Sequence, residues 1–342
     1  MHAPAMKALV LERANGPLRL LDVPTPAPGR GEVLVRIHAS GVNPLDTKIR
    51  AGAAAHARHP LPAILGIDLA GVVEEVGDGV TTFQSGDQVY GMTGGVGGVP
   101  GSLAELAAVD ARLLARKPTN LSMRQAAGLP LVAITAWEGL VDQAHVSSGQ
   151  RVLVQGGTGG VGHVAVQLAR AFGADVHATV SASKFDEVVR MGATPIDRTL
   201  PVPEQVSRHA NGEGFDVVFD TVGGKVLDAS FEAVRRSGHV VSALGWGTHA
   251  LAPLSFKAAT YSGIFTLLPL LTGVGREHHG EILTHITGLI EDGKLSPRLD
   301  PRTFGLADAE SAHAAVTSGD TAGRIVVTVI EGADPPVRRS RR

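Results

Sequence analysis

The sequence predicts an α/β protein in which a β-rich portion is joined to a doubly wound parallel-sheet domain. Three observations carry this reading. The first third consists of short apolar or alternating runs broken by Pro and Gly. After Gly149, strand-like and helix-like segments alternate. A glycine-rich turn, Gly157-Thr158-Gly159-Gly160-Val161-Gly162, joins one such strand to one such helix. At 342 residues the chain exceeds what one hydrophobic core supports, so two domains are expected.

Strands are expected at 6–11, 33–37 and 71–76, where apolar residues alternate or cluster between breakers. Pro24, Pro26, Pro28 and Gly29 interrupt the chain, and the run from Gly94 to Gly101 reads as a mobile loop. From Ser122 the spacing becomes helical, at 123–128 and 134–141. A βαβ unit follows: strand 151–155, helix 161–172 closed by Gly173, strand 175–180. Further strands are expected at 215–219, 239–244 and 264–267, with helices near 184–191 and 226–236 between them. Helices near 277–291 and 307–317 and a strand at 324–329 complete the pattern.

Composition excludes several function classes. Apolar residues make up 44% and charged residues 19%, and the formal charge of −2 provides no field to attract nucleic acid or an anionic membrane. Arg338, Arg339, Arg341 and Arg342 crowd the end after Pro335-Pro336, which reads as a solvated basic tail. No apolar stretch approaches the ~20 residues of a membrane helix, and the first residues lack a secretory pattern, so a cytoplasmic location is expected. Cysteine is absent, which removes disulfides, thiolate nucleophiles and sulfur-ligated zinc.

The glycine turn follows a strand and opens a helix, the context in which GxGxxG has physical meaning. The first glycine permits the turn, the second lets amides approach a pyrophosphate, and the third lets helix pack on strand, with the positive helix end facing the phosphates. Gly157, Thr158, Gly159, Gly160, Val161 and Gly162 are therefore expected to bind a dinucleotide; a glycine-rich connection without ligand is the alternative. An NAD site places Asp or Glu at the end of the second strand. This chain has Val180-Ser181-Ala182-Ser183-Lys184 there, which suits a 2′-phosphate and hence NADPH. Lys184 is the expected charge partner, Ser181 a donor, and Arg198, past the third strand, a second cation; each is also compatible with an ordinary solvated side chain.

Six segments then carry a family resemblance: 41–50 (GVNPLDTKIR), 66–73 (GIDLAGVV), 86–89 (GDQV), Leu129-Pro130 with Thr135-Ala136, 155–162, and Gly323-Arg324-Ile325-Val326. Over nearly its whole length the chain resembles the zinc-independent quinone oxidoreductase (zeta-crystallin-like) branch of the medium-chain dehydrogenase/reductase superfamily. The resemblance implies a GroES-like catalytic domain built from residues 1–125 and 269–332, a Rossmann NADP-binding domain at 126–268, and a tail at 333–342, with reactants meeting between the domains. Zinc-dependent members carry Cys where this chain has Asn43, and His-Glu where it has Ile67-Asp68, so no metal site is expected. His56 with His59, and His278-His279 with His285, supply no spaced three-ligand set.

The resemblance further implies hydride transfer from NADPH to a quinone or a similarly activated enone, acceptors that need no Lewis acid. By the same resemblance Asn43 lies near the nicotinamide and the acceptor oxygen, Thr135 bonds the carboxamide side, and Asp46 and Arg50 shape the cleft. Capping of the turn by Asn43, a plain helical Thr135 and an Asp46–Arg50 helical ion pair stay open as structural alternatives. Tyr90 is expected along the pocket, and Gly245 and Arg324 are expected cofactor contacts. Trp246 reads equally as a pocket wall or a packed aromatic. The proton-donating Tyr of metal-free enoyl reductases is missing from the stretch Ala51-Gly52-Ala53-Ala54-Ala55-His56, which argues against enoyl-thioester reduction unless His56 substitutes. Enoyl or 2-alkenal reduction and an NADPH-binding protein with little turnover are the alternatives; a homodimer is expected.

Overall fold

Alternating burial builds the first strands. In β1 (Ala5–Leu11) Met6, Ala8, Leu9 and Leu11 turn inward, and β2 (Leu18–Pro24) pairs with it antiparallel from Ala5↔Pro24 to Leu11↔Leu18. The proline cluster thus ends a strand rather than excluding one: β2 lies at the edge of a three-stranded sheet, where a missing amide leaves no ladder bond broken. The computed structural model describes residues 4–330, so the expected tail 333–342, with Arg338, Arg339, Arg341 and Arg342, lies outside the described residues.

β3 (Glu32–Val42) leads into α1 (Pro44–Arg50), and β4 (Ala63–Ile64) joins the edge of β1. β5 (Asp68–Val76), β6 (Gln88–Met92), β7 (Leu106–Asp110) and β8 (Leu114–Arg116) complete the β-rich part. Val33, Val35, Ile37, Leu69, Val73, Val89 and Val109 fill its core. The segment 94–101, read from sequence as a mobile loop, has buried ends and an exposed tip at Gly97, Gly98 and Pro100, and is held by backbone hydrogen bonds. Thr93 to Val96 are buried, Gly95 N–H donates to Val99 O, and Gly97 N–H donates to Ala57 O. Its glycines serve close approach: a Cβ on Gly94 would lie 2.1 Å from Pro100 O.

α2 (Met123–Ala127) and α3 (Pro130–Trp137) lead to a regular alternation. β9 (Arg151–Gln155), α4 (Gly160–Ala171), β10 (Asp175–Val180), α5 (Phe185–Arg190), β11 (Thr194–Asp197), α6 (Val202–His209), β12 (Phe215–Asp220), α7 (Lys225–Ala233), β13 (Val234–Ser242), α8 (Ala252–Ser255) and β14 (Thr260–Gly263) follow in turn. The strands form a six-stranded sheet in the order β11-β10-β9-β12-β13-β14, parallel throughout, with the order reversing between β9 and β12. Leu153, Phe215, Val218, Leu227, Phe231 and Val240 form much of its core. The last strand is not the apolar run 264–267 that the sequence suggests. Pairing with β13, from His239↔Thr260 to Ser242↔Gly263, selects the more polar Thr260–Gly263 as the edge strand.

α9 (Leu268–Thr272), α10 (Arg276–Glu291), β15 (Phe304–Gly305), α11 (Ala309–Ser318) and β16 (Ile325–Thr328) return the chain to the first sheet, where β16 pairs antiparallel with β3 from Ile325↔Val42 to Thr328↔Ala39. The chain divides into two compact units. One takes in the chain up to Leu131, Leu267–Glu291 and the chain from Pro297; the other comprises Val132–Thr266 and Asp292–Ser296. The last short piece belongs to the second unit because Ser296 exchanges hydrogen bonds with Gln167 of α4. No helix among the described residues is long and apolar enough to cross a membrane.

Candidate active site

The glycine turn sits at the carboxyl end of β9, in the second unit, beside the reversal of strand order. Its glycines divide the work differently from the sequence expectation. The left-handed residue is Gly156 (φ +73°), not Gly157. Gly157 is packed against β10, where a Cβ would lie 2.4 Å from that of Ala178. Gly162 is packed against the turn itself: a Cβ there would lie 2.1 Å from Gly156 O. Gly159 faces outward, and a Cβ would come no closer than 3.3 Å, to Gly156 O. Gly159 and Gly160 are exposed and Thr158 and Val161 half-buried, so the first-turn amides of α4, which have no helical acceptor, open outward at the positive helix end.

Beside this turn, β10 ends at Val180, and Arg198 N–H donates to Val180 O, which brings Arg198 next to Ser181 at the end of the neighbouring strand. Ser181 Oγ lies 3.2 Å from Ser183 Oγ. Lys184 Nζ is 2.8 Å from Glu187 Oε1, an i,i+3 pair that an anionic ligand has to share or displace. Arg198 is exposed. This strand-end corner of the sheet, next to the turn that follows β9, thus carries Ser181 and two cations, Lys184 and Arg198, the first of them paired with Glu187.

Thr135 and Gly245, in the same unit, are held by neighbours the sequence did not identify. Thr135 is 5% exposed, with Oγ1 3.2 Å from Thr266 Oγ1, which in turn donates to Glu138 Oε2. Gly245 abuts the Tyr261 hydroxyl, 2.1 Å from where a Cβ would be. Below it, the buried Asp220 carboxylate accepts from Val222 N–H, Gly223 N–H and Ser242 Oγ, while Thr221 Oγ1 donates to Gln155 O at the start of the glycine turn.

The remaining candidates lie in the first unit, in a buried polar cluster. Asn43, the N-cap of α1, is fully buried. Its Nδ2 donates to Asp68 Oδ2 at 3.0 Å, and its Oδ1 accepts a short hydrogen bond from Arg324 Nη2. Asn43 N–H donates to Asp46 Oδ2 at 2.8 Å, closing the first turn of α1. Asp68 Oδ1 accepts from Leu131 N–H and Arg324 Nε donates to Gly128 O, so the cluster also fixes the start of α3. Asp46 and Asp68 are 1% and 0% exposed, and burial pushes both carboxyls up to about 7. Asp68 Oδ2 lies 3.8 Å from Arg324, the cation of the cluster, whereas Asp46 Oδ1 has no hydrogen-bond partner among the described residues. Burial lowers the Arg324 pKa, and the two carboxylates oppose that shift.

Three expectations change here. Asn43 and Arg324, expected against acceptor and cofactor, are committed to each other and to Asp68. Tyr90 does not line a pocket: it is fully buried, and its hydroxyl donates to Leu283 O at 2.8 Å and lies 3.0 Å from Thr287 Oγ1. Burial raises its pKa, so the phenol stays protonated as a core tie to α10. Asp46, expected with Arg50 to shape the cleft, is 1% exposed, and Arg50 pairs with Glu310 at 3.0 Å, so the alternative helical ion pair between the two is not formed either. Asp68, read from sequence only as a lost ligand position, is the hub that was missed; its signal was that it and Asn43 replace ligands of one site. Among the described residues no group of three or more His, Cys, Asp or Glu side chains is placed to hold a metal ion.

The alcohol dehydrogenase GroES-like domain profile matches residues 29–119, and the zinc-binding dehydrogenase profile matches residues 184–327. A 2-methylene-furan-3-one reductase of Solanum lycopersicum is 36% identical over 314 residues, covering 90% of this chain and 74% of that protein. The chain belongs to the alcohol dehydrogenase superfamily. It is thus an oxidoreductase of the nicotinamide-dependent medium-chain dehydrogenase/reductase class. An NADPH-dependent alkenal/one oxidoreductase, chloroplastic, of Arabidopsis thaliana is 35% identical over 304 residues, 86% of this chain and 72% of that one. The crystal structure of an alcohol dehydrogenase superfamily protein from Novosphingobium aromaticivorans superposes with a TM-score of 0.94 at 59% identity, over 95% of this chain and 100% of that one. Against the pikromycin polyketide synthase component PikAII of Streptomyces venezuelae, at 34% identity, this superfamily member spans only 8% of the longer protein's length.

Proposed function

We propose that this oxidoreductase is an NADPH-dependent, metal-free reductase of electron-poor conjugated acceptors: α,β-unsaturated aldehydes and ketones, and quinones, which are cyclic members of the same class. The observation that supports it most is the cationic corner of Ser181, Lys184 and Arg198 beside the open α4 amides, where an NADH site would carry a carboxylate. The amides of Gly160, Val161 and Gly162 would hold the pyrophosphate and the corner the 2′-phosphate. Bound there, NADPH supplies hydride, and water supplies the accompanying proton. Conjugation lets an acceptor take hydride without a Lewis acid. That suits a chain with no cysteine, whose Asn43 and Asp68 are hydrogen-bonded to each other. The names of the tomato and Arabidopsis relatives specify conjugated carbonyl acceptors, which favours this class over saturated ketones.

A panel of an alkenal, a cyclic enone, 1,4-benzoquinone and a saturated ketone, each with NADPH and with NADH, tests the reading. Oxidation of NADPH by the first three and not the last is expected, with no stoichiometric zinc and no effect of chelators. Lys184→Ala should shrink the preference for NADPH over NADH by about tenfold, the scale of one partly solvated charge-assisted contact. Equal use of both nucleotides by the parent protein would remove the cofactor assignment, and turnover confined to saturated ketones or alcohols would remove the acceptor class.

A further inference from the structure

Register partners run in one row across the parallel sheet: Thr179, Gln155, Asp220, Ser242 and Gly263. All strands therefore end on the same edge, and whatever follows each end shares the ligand-binding side of the sheet. The glycine turn follows Gln155, Trp246 follows the end of β13, and Phe265 follows the end of β14. A dinucleotide bound at the reversal of strand order sends its two halves in opposite directions along this edge. The cationic corner lies on the β10 side, so the nicotinamide half of a dinucleotide held there would lie on the side of β12, β13 and β14.

On that side stands an aromatic pair that no step so far uses. Trp246 and Phe265 are 54% and 37% exposed. Their centroids are 6.2 Å apart with the rings 84° from parallel, an edge-to-face arrangement. The Trp246 loop is also pinned on both sides. Leu244 N–H donates to Ser242 Oγ, Gly245 abuts the Tyr261 hydroxyl, and His249 Nδ1 lies 2.7 Å from Asp228 Oδ1 on α7. A ring held by such a loop is ordered before a ligand arrives, so stacking on it loses little conformational entropy.

We propose that Trp246, braced by Phe265, is a specificity-determining platform for flat aromatic acceptors, the polycyclic quinones and aryl-substituted enones. The proposal rests on the reductase reading for its acceptor class, and on the sheet edge and the aromatic pair for its place. Loss of the ring removes stacking area that a planar polycyclic acceptor uses and a short aliphatic one does not.

The test compares 9,10-phenanthrenequinone with but-3-en-2-one at saturating NADPH. Trp246→Ala should raise the ratio of the two KM values, aromatic over aliphatic, by about tenfold, and Trp246→Phe should restore most of the parent ratio. An unchanged ratio would overturn the proposal even if both reactions slowed, because that pattern belongs to a structural role. A second readout needs no turnover. Trp137 is buried, so quenching of exposed indole emission reports on Trp246. Phenanthrenequinone should quench the parent saturably and Trp246→Phe hardly at all. If the parent oxidises NADPH with neither acceptor, the reductase reading fails while this titration still decides the platform. Quenching that tracks protein concentration instead of quinone would assign the pair to contact between copies and overturn it.

Discussion

The glycine turn and the Asn43–Asp68–Arg324 cluster hold charge in opposite ways. The turn presents backbone amides to solvent, comes from the seven consecutive residues Gly156 to Gly162, and owes its shape to missing side chains. The cluster gathers side chains from three distant segments, is buried, and leaves one carboxylate oxygen without a hydrogen bond among the described residues. An exposed amide cradle loses little when empty, because water satisfies it. A buried set of two carboxylates and one guanidinium has no such recourse, so its stability rests on complete pairing or on a proton.

The largest expected effect lies in the cluster. Arg324→Met leaves two buried carboxylates without a cation and should lower stability by about 3–5 kcal/mol, read from denaturant midpoints. A cost below about 1 kcal/mol would mean that both carboxyls are already protonated and that the cluster does not behave as a charged site. Gly162→Ala is the counterpart in the turn. Its Cβ would overlap Gly156 O, so a loss of about 1–3 kcal/mol is expected together with loss of NADPH binding, whereas Gly159→Ala should keep the stability.

The pH dependence sharpens the contrast. Burial raises the Asp46 carboxyl from the ordinary range to about 7 in the folded chain. The unfolded chain therefore releases this proton first as pH rises. Stability from this group is full below about pH 4, falls as pH climbs to 7, and stays low above it. Asp46→Asn, which mimics the protonated carboxyl, should flatten that fall by on the order of 2 kcal/mol between pH 5 and 8. Parallel stability curves for variant and parent would show that Asp46 does not titrate there. The smallest effect is expected at Tyr90→Phe, a loss of about 1 kcal/mol in stability with no change in cofactor binding or turnover, since its hydroxyl only ties β6 to α10. A kinetic defect would return Tyr90 to the site.

Legibility follows the same division. The turn, the βαβ unit and Ser181 with Lys184 are neighbours in sequence, and local patterning exposes them. Arg198 needed only the position of one further strand end. Asp68 escaped as a participant because its partners Asn43, Leu131 and Arg324 are far away in the chain and pair only once β3, β5 and β16 lie side by side. Tyr90 was misplaced for a related reason: it sits in a strand whose alternation says that it is buried but not which helix receives its hydroxyl. The edge strand β14 was displaced by a few residues because apolarity marks burial, while β13 alone decides which four residues pair.

The sequence by itself determined the α/β alternation, the glycine turn between strand and helix, the missing cysteine and the absence of an acid at the end of β10, since each depends on residue type and short spacing. Only the tertiary structure decided that Asn43 and Arg324 face each other and that Asp68 lies beside the Arg324 guanidinium. It also decided that Asp46 is buried with one oxygen unpartnered among the described residues, that the freedom of the turn lies at Gly156 and that Trp246 stands on the edge where the strands end. The physical reason is that backbone geometry is written locally, whereas the partner of a buried polar group is chosen by which distant segments the fold brings within hydrogen-bonding distance.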